Sequence, residues 1–215
     1  MDERSAAGAV NEAARSPLHR ALRAATSTAH RRLDRHPLLA PLVAPTLTLQ
    51  QYVRALQALL YVHEPLQAAL RSELAHYAID YPLLDRVAPL RADLARLKVS
   101  SVGTASAPIS LPPTSSVATL IGRLYVVEGS RLGGRSIARC LQQRLGLTAA
   151  NGAAFFNEGG EVRIDRDWPA FWRLAEGHAA DVEAVIAGAL ATFTLVADAL
   201  DACERASADR AAPSR

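Results

Sequence analysis

The stretch "LYVVEGSRLGGRSIARCL" (residues 124–141) decides how this chain is read. Its pattern is that of a helix, yet three of the six residues from Gly129 to Gly134 are glycine. A glycine inside a helix costs about 1 kcal/mol relative to alanine, and alanine is abundant elsewhere in the chain. Glycines at 129, 133 and 134 therefore need a reason. Three offer themselves: a kink, a tight helix crossing through the Gly129-x-x-x-Gly133 spacing, or bare backbone brought close to a ligand. A phosphate loop fits poorly, because no strand precedes the segment and the Gly-Lys-Ser/Thr ending is missing.

Outward from this stretch the chain reads as helices. Ser16-Pro17 starts one that Pro37 stops. Apolar residues at 49, 52, 53, 56, 59, 60, 66, 70 and 74 mark a second, which Pro65 should kink. A third is expected from Tyr81-Pro82 to near Lys98. Residues 99–116, "VSSVGTASAPISLPPTSS", are a loop whose last residues, Thr114 to Ser116, can cap the helix holding 124–141. Residues 157–165, "NEGGEVRID", read as irregular, and one long or broken helix runs from Asp167 to Ala206. No strand alternation and no repeat appears. The expectation is an all-α, single-domain helical bundle of five to seven helices over residues 16–205, between disordered tails at 1–15 and 206–215.

Half of the 215 residues are hydrophobic and only 5% aromatic, which suits an all-α core. The net charge is +3, and Lys98 is the one lysine among 24 basic residues. An arginine skew of this kind arises from base composition alone, and the arginines alternate with Asp and Glu as on solvated helix faces. Nucleic acid is therefore not an expected partner. Cys140 and Cys203 form no disulfide or zinc pattern. The N-terminus lacks the apolar core of a signal peptide, and Arg123 and Asp198 interrupt the most apolar windows. The chain is expected to be cytoplasmic, with no membrane span.

Six histidines need a reading: 19, 30, 36, 63, 76 and 178. His19, His36 and His178 sit at helix ends or polar flanks. Glu73-x-x-His76 is half of a di-iron motif whose second half is missing. His63 lies on the apolar stripe and reads as a core histidine before a ligand. His30 stands apart. Leu22, Thr26, His30 and Leu33 form one stripe, which turns the imidazole inward, and Asp34 follows at i+4. A carboxylate on one ring nitrogen makes the other a better metal ligand. Arg23 lies on the same face, about 10 Å earlier along the axis, roughly the distance from a heme iron to its propionates.

"LRAATSTAHRRLDRHPLL" (22–39) followed by "LYVVEGSRLGGRSI" (124–137) resembles the heme oxygenases, closest to the bacterial branch whose members pair with bacteriophytochromes. The resemblance implies the all-α heme oxygenase bundle and oxidative opening of heme to biliverdin, with release of carbon monoxide and ferrous iron. Heme is then both substrate and cofactor. His30 matches the proximal iron ligand, and Asp34 the carboxylate hydrogen-bonded to it, usually Glu. Gly129, Gly133 and Gly134 match the distal-helix glycines over the heme. Ser130 stands where mammalian members carry an aspartate that organises distal water, so that network must be built differently. Arg23 and Tyr125 match propionate anchors, Arg23 replacing a more usual lysine, and Phe193 matches an aromatic lining the pocket. No flavin or nicotinamide motif is present, so electrons for dioxygen chemistry are expected from an external ferredoxin or flavoprotein reductase. A bacteriophytochrome is a candidate recipient of the biliverdin. Two other readings stay open: a non-catalytic helical heme carrier, with His63 as a second axial ligand, and a bundle of the same fold acting on another small molecule.

Overall fold

The computed structural model describes residues 16–99, 109–157, 160–178 and 180–211, with backbone only for 160–165 and 209–211. The tail expected at 1–15 lies outside the described residues. Seven helices of ten residues or more follow in order: α1 Pro17–Asp34, α2 Leu49–His76, α3 Val87–Arg96, α4 Val117–Ser130, α5 Gly134–Leu145, α6 Gly160–His178 and α7 Val182–Ala211. Short 3-10 turns occupy Ala40–Val43 and Arg131–Gly133, and Ala154–Asn157 forms a single α-turn. Among the described residues there is no strand. The all-α class is as expected.

Local chemistry sets the boundaries. Thr48 opens α2 with a capping box: its hydroxyl accepts from Gln51 N at 3.2 Å, and Gln51 Oε1 accepts from Thr48 N at 2.9 Å. Ser116 and Thr119 do the same for α4. Pro65 lies inside α2 without ending it. α3 begins at Val87 rather than just after Pro82, because Asp85 Oδ1 accepts from Val87 N at 2.9 Å and Ala88 N at 3.1 Å. Those bonds, Ala88's first, with Gln67 and Arg71, hold the Asp85 carboxyl down at about 2. α5 stops at Gly146, where φ is +65° and the amide of Leu147 reaches back to Leu141 O.

Three expectations need correction. The helix read through 117–145 is broken at 131–133, where the glycines lower helix stability and Arg131 N caps α4 onto Glu128 O and Gly129 O. Residues 160–165, read as irregular, belong to α6; no helix breaker separates Gly160 from Pro169. Residues 206–211, assigned to a tail, continue α7, with Ser207 Oγ donating to Cys203 O at 2.9 Å.

The residues group into two compact units. In the first are α1 up to His30, α4 with the 3-10 turn after it, α6, and α7 up to Phe193. Here α4 packs on α6, and α4 crosses α7 at Gly122 and Gly188. A Cβ on Gly122 would lie 2.1 Å from Val185 O, and one on Gly188 would lie 2.3 Å from Thr119 O. Only glycine tolerates that crossing.

The second unit holds α2, α3, α5, the turn at 154–157 and the remainder of α7. Its core gathers Leu42, Tyr52, Leu56, Leu90, Leu94, Leu141 and Phe155. Tyr52 donates from its buried hydroxyl to Gly152 O at 2.8 Å. Asp93, also buried, accepts from Ala154 N and Phe155 N at 2.8 and 2.9 Å and so caps the single turn.

Within α7, Val182–Ala208 is long and apolar enough to cross a membrane by length and composition. Asp198 alone does not interrupt that apolar window, and a helix with one face in a core meets the same test. Buried residues recur along it at Val185, Ala189, Phe193, Ala197, Leu200 and Cys203, the spacing of a helix with one face in a core.

Candidate functional site

α1 carries a buried stripe of Leu18, Leu22 and Thr26. Thr26 can sit there because its hydroxyl donates to Leu22 O at 2.7 Å. One turn later His30 is exposed rather than turned into a core, with its ring set edgewise 6.2 Å from Phe193 on α7. The two residues matched to iron ligand and pocket aromatic thus come together. Arg23, on the same helix, is exposed, as is Asp34, the last residue of α1.

Tyr125 has a different setting from that expected of a free anchor. It is half-buried, and its ring lies 6.2 Å from Trp168, 6.3 Å from Phe171 and 6.0 Å from Trp172. Trp168 and Phe171 stack at 5.3 Å, and His19 sets an edge on Trp172 at 4.7 Å. This cluster went unread in the sequence, although Trp168, Phe171 and Trp172 at i, i+3 and i+4 were its signal.

The glycines divide sharply. A Cβ on Gly129 would make ordinary contact, 3.7 Å from Trp168 Cη2. One on Gly133 would meet nothing within 4 Å among the described residues. Neither has the positive φ that demands glycine. Packing within the protein, the plainer explanation, therefore accounts for Gly122 and Gly188 but not for Gly129 and Gly133. Gly134 is a separate case: in the second unit, its Cβ would crowd Phe156 O at 3.2 Å, so it has a packing role of its own. Beside Gly129, Ser130 Oγ donates to Val127 O at 2.7 Å. That bond uses the hydroxyl proton and leaves the oxygen's lone pairs as acceptors.

Arg131 is not on a solvated face. It is buried with Glu128, which it pairs through Nη1, and Nη2 donates to Asp167 Oδ2 on α6 at 2.8 Å. Burial alone would lower its pKa; Glu128 and Asp167 outweigh that and raise it. Burial would conversely raise Asp167, but bonds from Arg131 and from Arg166 (Nε to Oδ1, 3.1 Å) hold its carboxyl below the usual value. Reading the arginines as lying on solvated helix faces missed this network; the spacing of Glu128 and Arg131 at i, i+3 was the available signal.

Two further histidines lie in the second unit. His63 is fully buried, its ring 5.5 Å from Phe155, and burial with the neighbouring Arg86 charge pulls its pKa down to about 3. It packs as a core histidine. His36, read as a polar flank, is buried. Its Nδ1 accepts from Leu38 N at 3.2 Å, and Nε2 lies 3.1 Å from Asp201 Oδ1. With Glu204 these could be taken for a metal-binding triad. A neutral ring whose Nδ1 accepts must keep its proton on Nε2, aimed at Asp201, so no lone pair is left there for a cation. Arg32 on Asp201 Oδ2 at 3.0 Å already balances the charge.

A family model described as heme oxygenase matches residues 16–202. A protein named heme oxygenase from Xanthomonas campestris pv. campestris (strain 8004) is 64% identical over 33 residues, which are 15% of this chain. That match spans 20% of the relative's own length.

Proposed function

Because the chain belongs to the heme oxygenase family, we propose that it binds heme and opens it oxidatively to biliverdin, carbon monoxide and ferrous iron. The observation that carries this reading is the pair Gly129 and Gly133. In the same unit as His30, both lack a side chain with no conformational or packing cause within the protein. A Cβ on Gly133 would meet no described atom within 4 Å and one on Gly129 would only touch Trp168, so the backbone there is open to the close approach a flat ligand requires.

The donor set fits the group. His30 presents an exposed imidazole on α1, backed at one edge by Phe193, and would hold the iron through a ring nitrogen. Asp34 holds the proton on the other nitrogen. Arg23 takes the propionates with its guanidinium fork, and Tyr125 supports that edge from α4. Gly129 and Gly133 would offer bare backbone to the ligand, with Ser130 beside them accepting hydrogen bonds from water, whereas Gly134 in the second unit, matched to the same role, is packed against Phe156 O. The iron supplies dioxygen chemistry when heme is bound; the protein supplies ligation, orientation and a small wet pocket. Electrons come from an external ferredoxin or flavoprotein reductase, and the +3 charge suits an acidic donor. The biliverdin serves a bacteriophytochrome or is a by-product of iron acquisition in the cytoplasm.

Titration with hemin tests the reading. One hemin per chain with a high-spin ferric spectrum is expected, and His30→Ala should change that spectrum and abolish turnover. An unaltered spectrum in His30→Ala removes His30 as ligand, and absence of turnover in the parent with dioxygen and reductant removes the enzyme.

A further inference from the structure

Around the break at 131–133 the chain offers Gly129 and Ser130 at the end of α4 and Gly133 in the turn itself, and a three-residue 3-10 turn set between glycines has little stiffness of its own. Something must fix it. Arg131 is both the capping residue of α4 and the first residue of the turn. Its side chain is 4% exposed, that of Glu128 2% and that of Asp167 18%. One guanidinium therefore ties the last turn of α4 to α6 from inside the first unit. Asp167 is itself held on its other oxygen by Arg166. Arginine suits this task because its planar fork can address two carboxylates at once, which a lysine ammonium does less rigidly.

Burying two charges and half-burying a third is an expensive way to join two helices, and apolar side chains of like volume often do as well or better. A second oddity lies in the same guanidinium. Arg131 Nε is buried with no hydrogen-bond partner among the described residues, a donor left over within one residue of Ser130. Stability alone explains neither.

We propose that Glu128, Arg131 and Asp167 are positioning residues. They clamp the 131–133 turn to α6 and thereby set the clearance that Gly129 and Gly133 leave for the ligand. The inference rests on the proposed heme site but makes a separate claim, that the turn is held in place by ion pairing.

Asp167→Asn keeps the shape and removes the charge, and Asp167→Glu keeps the charge. Thr48→Ala, which loses a helix cap in the other unit, serves as a control of comparable mild destabilisation. In heme-free protein, amide exchange over residues 126–136 should quicken about tenfold in Asp167→Asn and stay near the parent rate in Asp167→Glu and Thr48→Ala. Hemin affinity should fall about tenfold in Asp167→Asn with a shifted visible band, and remain near the parent value in the other two. Unchanged exchange in Asp167→Asn overturns the clamp. Faster exchange with unchanged affinity and spectrum leaves only a structural salt bridge and overturns the positioning role. Equal losses in Thr48→Ala overturn it too. Should the parent fail to bind hemin, the proposed function falls and the positioning claim with it, whereas the exchange result still reports on the clamp.

Discussion

A Cβ on Gly122 would lie 3.0 Å from the carbonyl carbon of Gly188, because α4 and α7 cross with their backbones nearly touching. These are the glycines the helix packing uses. Gly133, eleven residues along the chain from Gly122, has no such neighbour among the described residues. The contrast separates glycine as a packing device from glycine as room for something else, and it yields opposite expectations for substitution.

Gly122→Ala and Gly188→Ala should each destabilise the fold. Overpacking of this kind costs about 1–3 kcal/mol or more, and at this chain length each kcal/mol lowers Tm by about 2–4 °C. Thermal melting followed by circular dichroism measures it. Two variants melting with the parent would show that the crossing relaxes freely.

Gly133→Leu should do the reverse. With nothing described near its Cβ, helix content and Tm should stay close to the parent, within about 0.5 kcal/mol. Heme turnover should drop more than tenfold, a change of at least about 1.4 kcal/mol. Turnover at the parent rate would remove Gly133 from the site.

Acid should weaken the protein through His63. Its folded pKa, about 3, lies below the ordinary 6.5, so the unfolded chain takes up the proton first. The stability tied to a neutral His63 is full above pH 6.5 and is lost as pH falls from there towards 3. At 1.36 kcal/mol per unit, the loss from this group between pH 6.5 and 4 is about 3 kcal/mol. His63→Phe removes the titrating ring, so denaturant unfolding at pH 7 and pH 4 should differ less in that variant, by about this amount. Equal pH dependence in both proteins would contradict the buried neutral ring.

Regiochemistry is expected to follow the propionate anchors. A charge-assisted contact contributes about 1.5–3 kcal/mol, and 1.4 kcal/mol is a tenfold preference between two seatings of a nearly symmetric macrocycle. The parent should give the α isomer of biliverdin, and Arg23→Ala combined with Tyr125→Phe should give mixed isomers. Chromatography of the extracted pigment decides. A non-α product from the parent, or no isomer change in the double variant, defeats the assignment.

Several features were legible in the residues alone. Apolar spacing at 3.6 residues predicted helices throughout, and Ser116 was rightly placed at the start of α4. Such features are local: a periodic stripe or a capping hydroxyl acts within one turn of itself. His30, with the glycines a hundred residues later, pointed to the family for a related reason, since each motif is short and contiguous.

Tertiary structure decided what depends on neighbours distant in sequence. Which glycines are packed and which are open follows from where α7 and Trp168 pass, and no feature of residues 122–134 contains that. Asp85 displaced the start of α3 because its carboxylate reached two amides that a proline rule ignores. Arg131 looked like any arginine on an amphipathic helix until Asp167, thirty-six residues away, closed a part-buried pair with it. His36 turned from a polar flank into a buried, paired ring through Asp201, 165 residues on. Burial and charge pairing are properties of the assembled surroundings, so the sequence determined the helices and the family, while the packed chain determined the chemistry of each side chain.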